Sequence, residues 1–290
     1  MDRNKTKTKE NTNTSIACMG LDGSFGHIVA RRLHPTGTIV SHTSIDNVGR
    51  AVANGESAVG VLPIENSTAG TIQETFDTLL RNNLSIVGER FLPVVHHLLV
   101  RKTQFGAAAV QRNAIKTILS HPKAFEQCRL FLETLPNAKL IMVHDTADAA
   151  RRVAMDPDSG LAAIASQEAA RAHGLRVLVG NIHSNPDNCT RFVIVQKRRN
   201  GVLGTKATIS AVLPHIPGSL HRLLGSFAAH HLNLTHIESR PIGSKPWEYR
   251  FLIDLDIGKD TRLFQRSLLQ ARSIATTITI LGIYDKGVRL

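Results

Sequence analysis

The chain has 290 residues, 42% hydrophobic and 20% charged, with a net charge of +12. This length suits two domains rather than one small core, and the composition is that of a folded globular protein. It excludes a bilayer-spanning helix, because the densest apolar run, Phe91 to Val100, is interrupted by Pro93, His96 and His97.

The basic excess is scattered and is densest at Lys197-Arg198-Arg199, with no nucleic-acid recognition motif beside it. Nucleic-acid binding is therefore not expected as the main role; a basic surface serves equally to capture an anionic metabolite.

Residues 1–14 are polar, lack the hydrophobic segment of a secretory signal, and are read as a disordered tail. Strands are then expected over Ile16–Met19, Thr38–His42, Ala58–Leu62, Lys116–Ser120, Lys139–Val143, Leu161–Ala165, Arg176–Val179 and Arg191–Gln196. Between them Ile72, Phe76, Leu79 and Leu80 recur at helical spacing, and Phe125, Cys128, Leu132 and Leu135 less perfectly. Strands alternating with helices predict a mainly parallel α/β sheet, with ligands bound beyond the carboxyl ends of the strands.

A basic, Gly-containing stretch at 197–205 without apolar periodicity reads as a linker. Beyond it the pattern is β-α-β-β-α-β. Ala207, Ile209, Ala211 and Leu213 alternate, and Leu220, Leu223, Leu224 and Phe227 form a helical stripe. A strand follows near Leu234–Ser239 and another carries Tyr249 to Ile257; a helix over Asp260–Ser273 and a strand over Thr276–Ile283 close the unit. This is the ferredoxin-like order. Cys18, Cys128 and Cys189 are isolated, with neither zinc spacing nor an even count for disulfides, which points to free thiols in a reducing cytoplasm.

Four strand-end segments carry polar groups. Gly20-Leu21-Asp22-Gly23-Ser24-Phe25-Gly26-His27 can turn tightly and let Ser24 cap a helix or meet an anion, but it matches no nucleotide-binding loop. Glu65-Asn66-Ser67-Thr68 offers more polar side chains than one helix cap needs, which favours a polar ligand. Ser120-His121-Pro122 leads into a helix bearing Gln127, and Pro122 is an ordinary first helical residue. Asn188-Cys189-Thr190-Arg191-Phe192 enters the last strand of the α/β region, and its Arg is suited to a carboxylate fork. Cys189 is the weaker nucleophile candidate, since no base adjoins it in sequence.

VLPIENSTAG (61–70), ILSHP with EQC (118–128), IASQEAARAHGL (164–175) and NCTRF (188–192) together resemble the catalytic domain of prephenate dehydratases. PGSL (217–220), NLTHIESRP (233–241) and PWEY (246–249) resemble a phenylalanine-binding ACT domain. The resemblance spans about Ile16 to Tyr284. It implies an α/β fold, with a two-lobed, periplasmic-binding-protein-like catalytic domain over 15–196 (lobe 1 about 15–92 and 181–196, lobe 2 about 93–180). The linker at 197–205 and a ferredoxin-like (βαββαβ) ACT domain over 206–284 would follow.

By resemblance Thr190 stands closest to the chemistry, with Glu65, Asn66, Ser67 and Gln127 as further catalytic candidates. Ser24, Ser120, Arg191 and Phe192 are the substrate-binding candidates. Gly218, Leu220, Asn233 and Leu234 match the effector turn and the strand facing it, and Glu238-Ser239-Arg240-Pro241 matches the signature of phenylalanine response. The implied activity is decarboxylative dehydration of prephenate to phenylpyruvate, without metal or cofactor, regulated by phenylalanine in a cytoplasmic homodimer or homotetramer. Arogenate dehydratase and an inactive amino-acid sensor are the alternatives.

The chain departs from the family pattern at several points: Gly26 where Ser is usual, Lys123 where Gln is frequent, His144-Asp145-Thr146-Ala147 for a Ser-Thr-Ala pattern, and Ser219 for Ala.

Thr190 is expected to donate to the leaving hydroxyl. Arg191 is expected to anchor a carboxylate, and Asn66 and Ser67 the pyruvyl end.

Overall fold

The computed structural model describes residues 15–102, 114–158, 160–198, 203–242 and 248–290. The expected tail at 1–14, the middle of the expected linker and Pro246-Trp247 lie outside the described residues.

The first unit runs β1 (Ile16–Met19), α1 (Phe25–Leu33), β2 (Ile39–His42), α2 (Ile45–Asn54), β3 (Val59–Asn66), β4 (Gly70–Thr71), α3 (Gln73–Arg81) and β5 (Leu84–Pro93). The chain then crosses to a second unit. This comprises β6 (His97–Arg101), β7 (Thr117–Ser120), α4 (Pro122–Gln127), α5 (Arg129–Leu132), β8 (Lys139–Met142), α6 (Thr146–Met155), β9 (Leu161–Ala165), α7 (Gln167–Ala172) and β10 (Leu175–Val179). It returns as β11 (Cys189–Lys197) and continues into β12 (Lys206–Val212), α8 (Ser219–Ala228), β13 (Asn233–Pro241), β14 (Tyr249–Asp256), α9 (Arg262–Ile274), β15 (Thr277–Tyr284) and β16 (Val288–Arg289).

The second unit is a five-stranded sheet in the order β10-β6-β9-β7-β8. All the other strands join one sheet of order β13-β14-β12-β15-β5-β11-β3-β1-β2, with β4 on β3 and β16 on β5. Neither sheet is mainly parallel, contrary to expectation. β1 pairs in parallel with β2 and β3, but β11 runs antiparallel between β3 and β5, and β6 antiparallel between β9 and β10. A strand that returns from the other unit need not follow the βαβ crossover rule that keeps neighbours parallel.

β5 and β6 were not expected as strands. Their run looked broken because Pro93 and His96 mark the passage from one sheet to the other. The two crossing segments are bonded to one another: the Val94 N–H donates to Asn188 O at 2.8 Å, and the Ile182 N–H donates to His96 O at 2.9 Å. The periodic stripe from Phe125 to Leu135 is likewise two short helices, parted at Cys128, whose ψ of 17° leaves the helical region.

The C-terminal sheet has the β13-β14-β12-β15 order of the expected ferredoxin-like unit. Phe227, Phe264, Leu268 and Ala271 on α8 and α9 cover one face over Ile209, Ala211 and Ile253. It is not tethered by the linker alone. β15 lies beside β5 with Gly282 opposite Ile86, and a Cβ at Gly282 would come within 2.2 Å of Ile86 O, so only glycine permits the approach. Leu252, Leu281 and Tyr284 share a core cluster with Leu62, Ile64 and Val193.

Candidate active site

Between the two sheets lies a cleft of about 420 Å³. The N-terminal ends of three helices and the paired ends of β3 and β11 form its walls. Ser24 caps α1, accepting from the His27 N–H at 3.3 Å and donating to Met19 O at 3.2 Å. His121 caps α4, its Nδ1 accepting from the Lys123 N–H at 3.1 Å. Asp145 caps α6, its Oδ1 accepting from the Asp148 N–H at 2.7 Å. Helix N-termini carry partial positive charge, so the cleft is built to receive anions. Lys123 and His144 also line it.

The most connected group in the cleft is Asn66. Its Nδ2 donates to Thr190 Oγ1 at 3.0 Å and to Asn188 Oδ1 at 2.8 Å, while its Oδ1 accepts from the N–H groups of Thr68 and Ala69 at 3.1 and 2.9 Å. An amide has two donor hydrogens and one acceptor oxygen, so Asn66 is fully committed within the protein. Because Asn66 donates to Thr190, the threonine hydroxyl keeps its own proton for another acceptor. Thr190 and Asn66 are register partners in the β11–β3 ladder, are buried, and both face the cleft.

Phe192, two residues on, lines the same cleft, as does Gln127 at the end of α4. Thus Ser24, Asn66, Gln127, Thr190 and Phe192 converge.

The other expected residues do not line the cleft. Ser120 is buried in the second sheet and donates its hydroxyl to Ile164 O at 2.7 Å. Ser67 holds a turn, its Oγ accepting from the Cys189 N–H at 2.9 Å. Arg191 and Glu65 project from the opposite face of β11 and β3, because adjacent residues on a strand alternate. Arg191 lies 2.7 Å from Glu89 Oε2, 2.6 Å from Asp254 Oδ2, 3.3 Å from Glu65 Oε2 and 3.0 Å from the Tyr284 hydroxyl. Lys206 completes the cluster at 3.0 Å from Glu89 and 3.3 Å from Asp254.

These groups are buried, apart from the half-buried Glu65. Burial alone would raise the Asp254 pKa, but the charges of Arg191 and Lys206 and the hydroxyl of Thr208 outweigh it, so the carboxyl is held below its ordinary value. Arg191 therefore ties the two halves of the long sheet together, where an anchor for substrate carboxylate was expected.

Several cleft residues escaped the sequence reading. His96 and Val94 come from the first crossing segment and line the cleft. His121 is a helix cap that also borders the cavity. Asn188, buried beneath the cleft, accepts from Asn66 and from the Thr68 hydroxyl. Their shared signal is position at a strand end or a crossing between sheets.

In the C-terminal unit, Gly218 adopts a left-handed φ of 79° ahead of α8, and Leu220 lines a second cavity of about 380 Å³ with Pro214, Ile216, Tyr249 and Phe251. Asn233 and Leu234 open the edge strand β13. Further along it Glu238 accepts from the Thr71 hydroxyl at 3.2 Å, and Arg240 pairs with Asp77 at 2.9 Å, while Ser239 is exposed. Glu238 thus touches a residue that also lines the cleft.

The prephenate dehydratase family model matches residues 16–200 and the ACT domain model residues 207–271. The bifunctional chorismate mutase/prephenate dehydratase of Stutzerimonas stutzeri is 35% identical over 277 residues, covering 94% of this chain and 73% of that protein. Arogenate dehydratase/prephenate dehydratase 2, chloroplastic, of Arabidopsis thaliana is 34% identical over 284 residues, covering 93% and 72%.

Two solved structures superpose with a TM-score of 0.82 over 93% of this chain. One is prephenate dehydratase in complex with L-Phe from Arthrobacter aurescens, 32% identical and covered over 90% of its length. The other is GqqA, described as a novel type of quorum quenching acylase, 28% identical and covered over 97%. With the first model spanning more than half of the chain and the Thr190 cleft lying inside its limits, this chain belongs to the prephenate dehydratase family and carries a C-terminal ACT domain.

Proposed function

We propose that the cleft converts prephenate to phenylpyruvate, the Thr190 hydroxyl acting as donor to the departing oxygen. The ring carboxylate leaves as carbon dioxide, its carbon–carbon bonding pair enters the ring, and the opposite carbon–oxygen bond breaks. The hydroxyl takes the proton of Thr190 Oγ1, which solvent replaces, and leaves as water. Aromatisation supplies the driving force, so the protein's task is to stabilise a poor leaving group. The carrying observation is the hydrogen bond from Asn66 Nδ2 to Thr190 Oγ1, which leaves the threonine proton available in a cleft rimmed by helix N-termini.

His121 offers a second donor. Its Nδ1 is occupied by the α4 cap, so a neutral ring carries its proton on Nε2. Lys123, whose ammonium also pairs with Glu126 Oε2 at 2.8 Å, and His144 line the cleft where the carboxylates would lie, and Phe192 supplies apolar surface to the ring. The reaction as written needs neither metal nor organic cofactor.

Lobe 1 over 15–92 and 181–196 and lobe 2 over 93–180 would close on the substrate, with the ACT domain at 206–284 beyond the linker at 197–205. Phenylalanine would bind around Gly218, Leu220, Asn233 and Leu234, with Glu238, Ser239 and Arg240 relaying its presence. Allostery then requires different phenylalanine affinities in the open and closed forms. A cytoplasmic homodimer or homotetramer completes this reading.

Arogenate, which carries an amino group in place of the keto group, is the competing substrate, since the Arabidopsis relative is named for both activities. The test is product formation from each substrate, with and without phenylalanine. Phenylpyruvate from prephenate, altered by phenylalanine, is expected. Preference for arogenate would move the assignment, and no product from either substrate would refute it. Thr190→Val is expected to lower kcat by on the order of 10²–10³-fold with an intact fold; near-normal turnover would refute the role of Thr190.

A further inference from the structure

His96 stands in the first crossing segment and is 1% exposed. Its ring meets Phe25 edge-on, with centroids 5.5 Å apart, and so touches the first unit. Its Nε2 lies 2.8 Å from Gln127 Oε1 and so touches the second. Its Nδ1 is buried and has no hydrogen-bond partner among the described residues.

These contacts select a tautomer. With the proton on Nδ1, the ring would bury an orphaned N–H; with the proton on Nε2, only a lone pair is left unpaired. Buried orphan donors are the rarer and costlier case. Burial also keeps the ring neutral, its pKa pushed down to about 4. Nε2–H therefore donates to Gln127 Oε1. With its oxygen committed, the Gln127 amide has its NH2 group left for the cleft that it lines. The backbone of Gln127 is held as well, because the Ser184 N–H in the returning segment donates to Gln127 O at 2.6 Å. Both crossing segments thus hold this one residue.

We propose that His96 is a positioning residue for the dehydration: it fixes the Gln127 amide so that a donor, and not an acceptor, meets an oxygen of the anionic substrate. This rests on the reading of the cleft as the prephenate site. Without His96 the amide can rotate, and a carbonyl oxygen turned toward a carboxylate would repel it.

A double-mutant cycle on prephenate turnover tests the proposal, using His96→Phe, Gln127→Leu and the pair. Each single variant is expected to lose kcat/KM by on the order of tenfold to a hundredfold, and the pair no more than Gln127→Leu alone. His96→Gln, which keeps a donor, is expected to recover part of the loss. If the losses multiply in the pair, or His96→Phe retains wild-type kcat/KM, the proposal is overturned. Should His96→Phe not fold, the same cycle with His96→Leu, which also lacks a donor, decides on the same criterion.

Imidazole ¹⁵N shifts of the unmodified protein provide an independent reading: a protonated Nε2 and a bare Nδ1 are expected, and the opposite tautomer would overturn the proposal. Wild-type turnover of prephenate is measured alongside. A positioning failure leaves it intact, whereas a failure of the functional reading abolishes it.

Discussion

In the proposed reaction Thr190 and Asn66 act as a pair whose value depends on the direction of one hydrogen bond. Asn66→Asp tests that direction with almost no change in volume. The new carboxylate can still accept from the Thr68 and Ala69 N–H groups, so the turn after β3 is kept. It cannot donate to Thr190, and instead draws the threonine proton away from the substrate. Turnover is expected to fall about as far as in Thr190→Val, on the order of 10²–10³-fold, and Tm to fall as well, because the buried carboxylate also loses the bond to Asn188 Oδ1. Steady-state kinetics with a thermal melt would check this, and unchanged kcat would remove Thr190 as donor. Thr190 and Asn66 were legible from the sequence through their motifs. Glu65 and Arg191 were assigned to the cleft from the same motifs, although strand alternation turns them to the opposite face. Applying that alternation to each motif would have separated the two sets without a structure.

At the scale of elements, the cleft is made where helices begin and where the chain changes sheet. Asp145 exemplifies the tension, since its carboxylate caps α6 yet lines a cleft meant for anions. Asparagine caps nearly as well as aspartate, so Asp145→Asn should alter stability by less than about 1 kcal/mol. Removing a like charge should lower KM for prephenate severalfold, as measured at low ionic strength, where screening is weakest. Gly26 is a different departure from the family pattern. A Cβ there would stand 2.8 Å from Met19 O, so Gly26→Ser does not simply restore a polar contact. The strand β1 or the start of α1 would have to shift, and a loss of about 1–3 kcal/mol is expected in urea unfolding.

The crossing segment adds a pH signature through His96. Its pKa falls from 6.5 unfolded to about 4 folded, with burial the main cause, helped by the neighbouring His183 and His97 and opposed by the bond to Gln127. The unfolded chain therefore binds more protons between these values. Stability that is intact above pH 6.5 is lost as the pH falls toward 4, on the order of 3 kcal/mol for this group. His96→Phe should flatten that part of the urea-midpoint profile. The α3 stripe and most strands of these units were readable from periodicity. β5 and β6 were not, because the break between them reflects a change of sheet rather than the end of order.

For the whole molecule, the decisive feature is that the ACT sheet continues the catalytic one. Periodicity marks each unit separately and is silent on which edges will pair, so the pairing of β15 with β5 could not be read from it. The seam is closed by two buried cations, Arg191 and Lys206, against two buried carboxylates, Glu89 and Asp254. Asp254 and Lys206 come from the regulatory side, Glu89 and Arg191 from the catalytic side. Arg191 adjoins Thr190, so a change in how the ACT sheet is seated bears on the strand that carries Thr190.

Asp254→Asn removes one charge and leaves both cations facing Glu89. Breaking a buried pair on one side costs about 3–5 kcal/mol, so a clear fall in Tm is expected. The ratio of activities with and without phenylalanine should also move toward one, while activity without phenylalanine persists at temperatures where the variant is folded. Lys206→Met, altered on the same side, should weaken the response similarly. If both variants lost stability but kept the full phenylalanine response, the seam would be cement alone, and the signal would have to pass through β13, where Glu238 meets Thr71 and Arg240 meets Asp77.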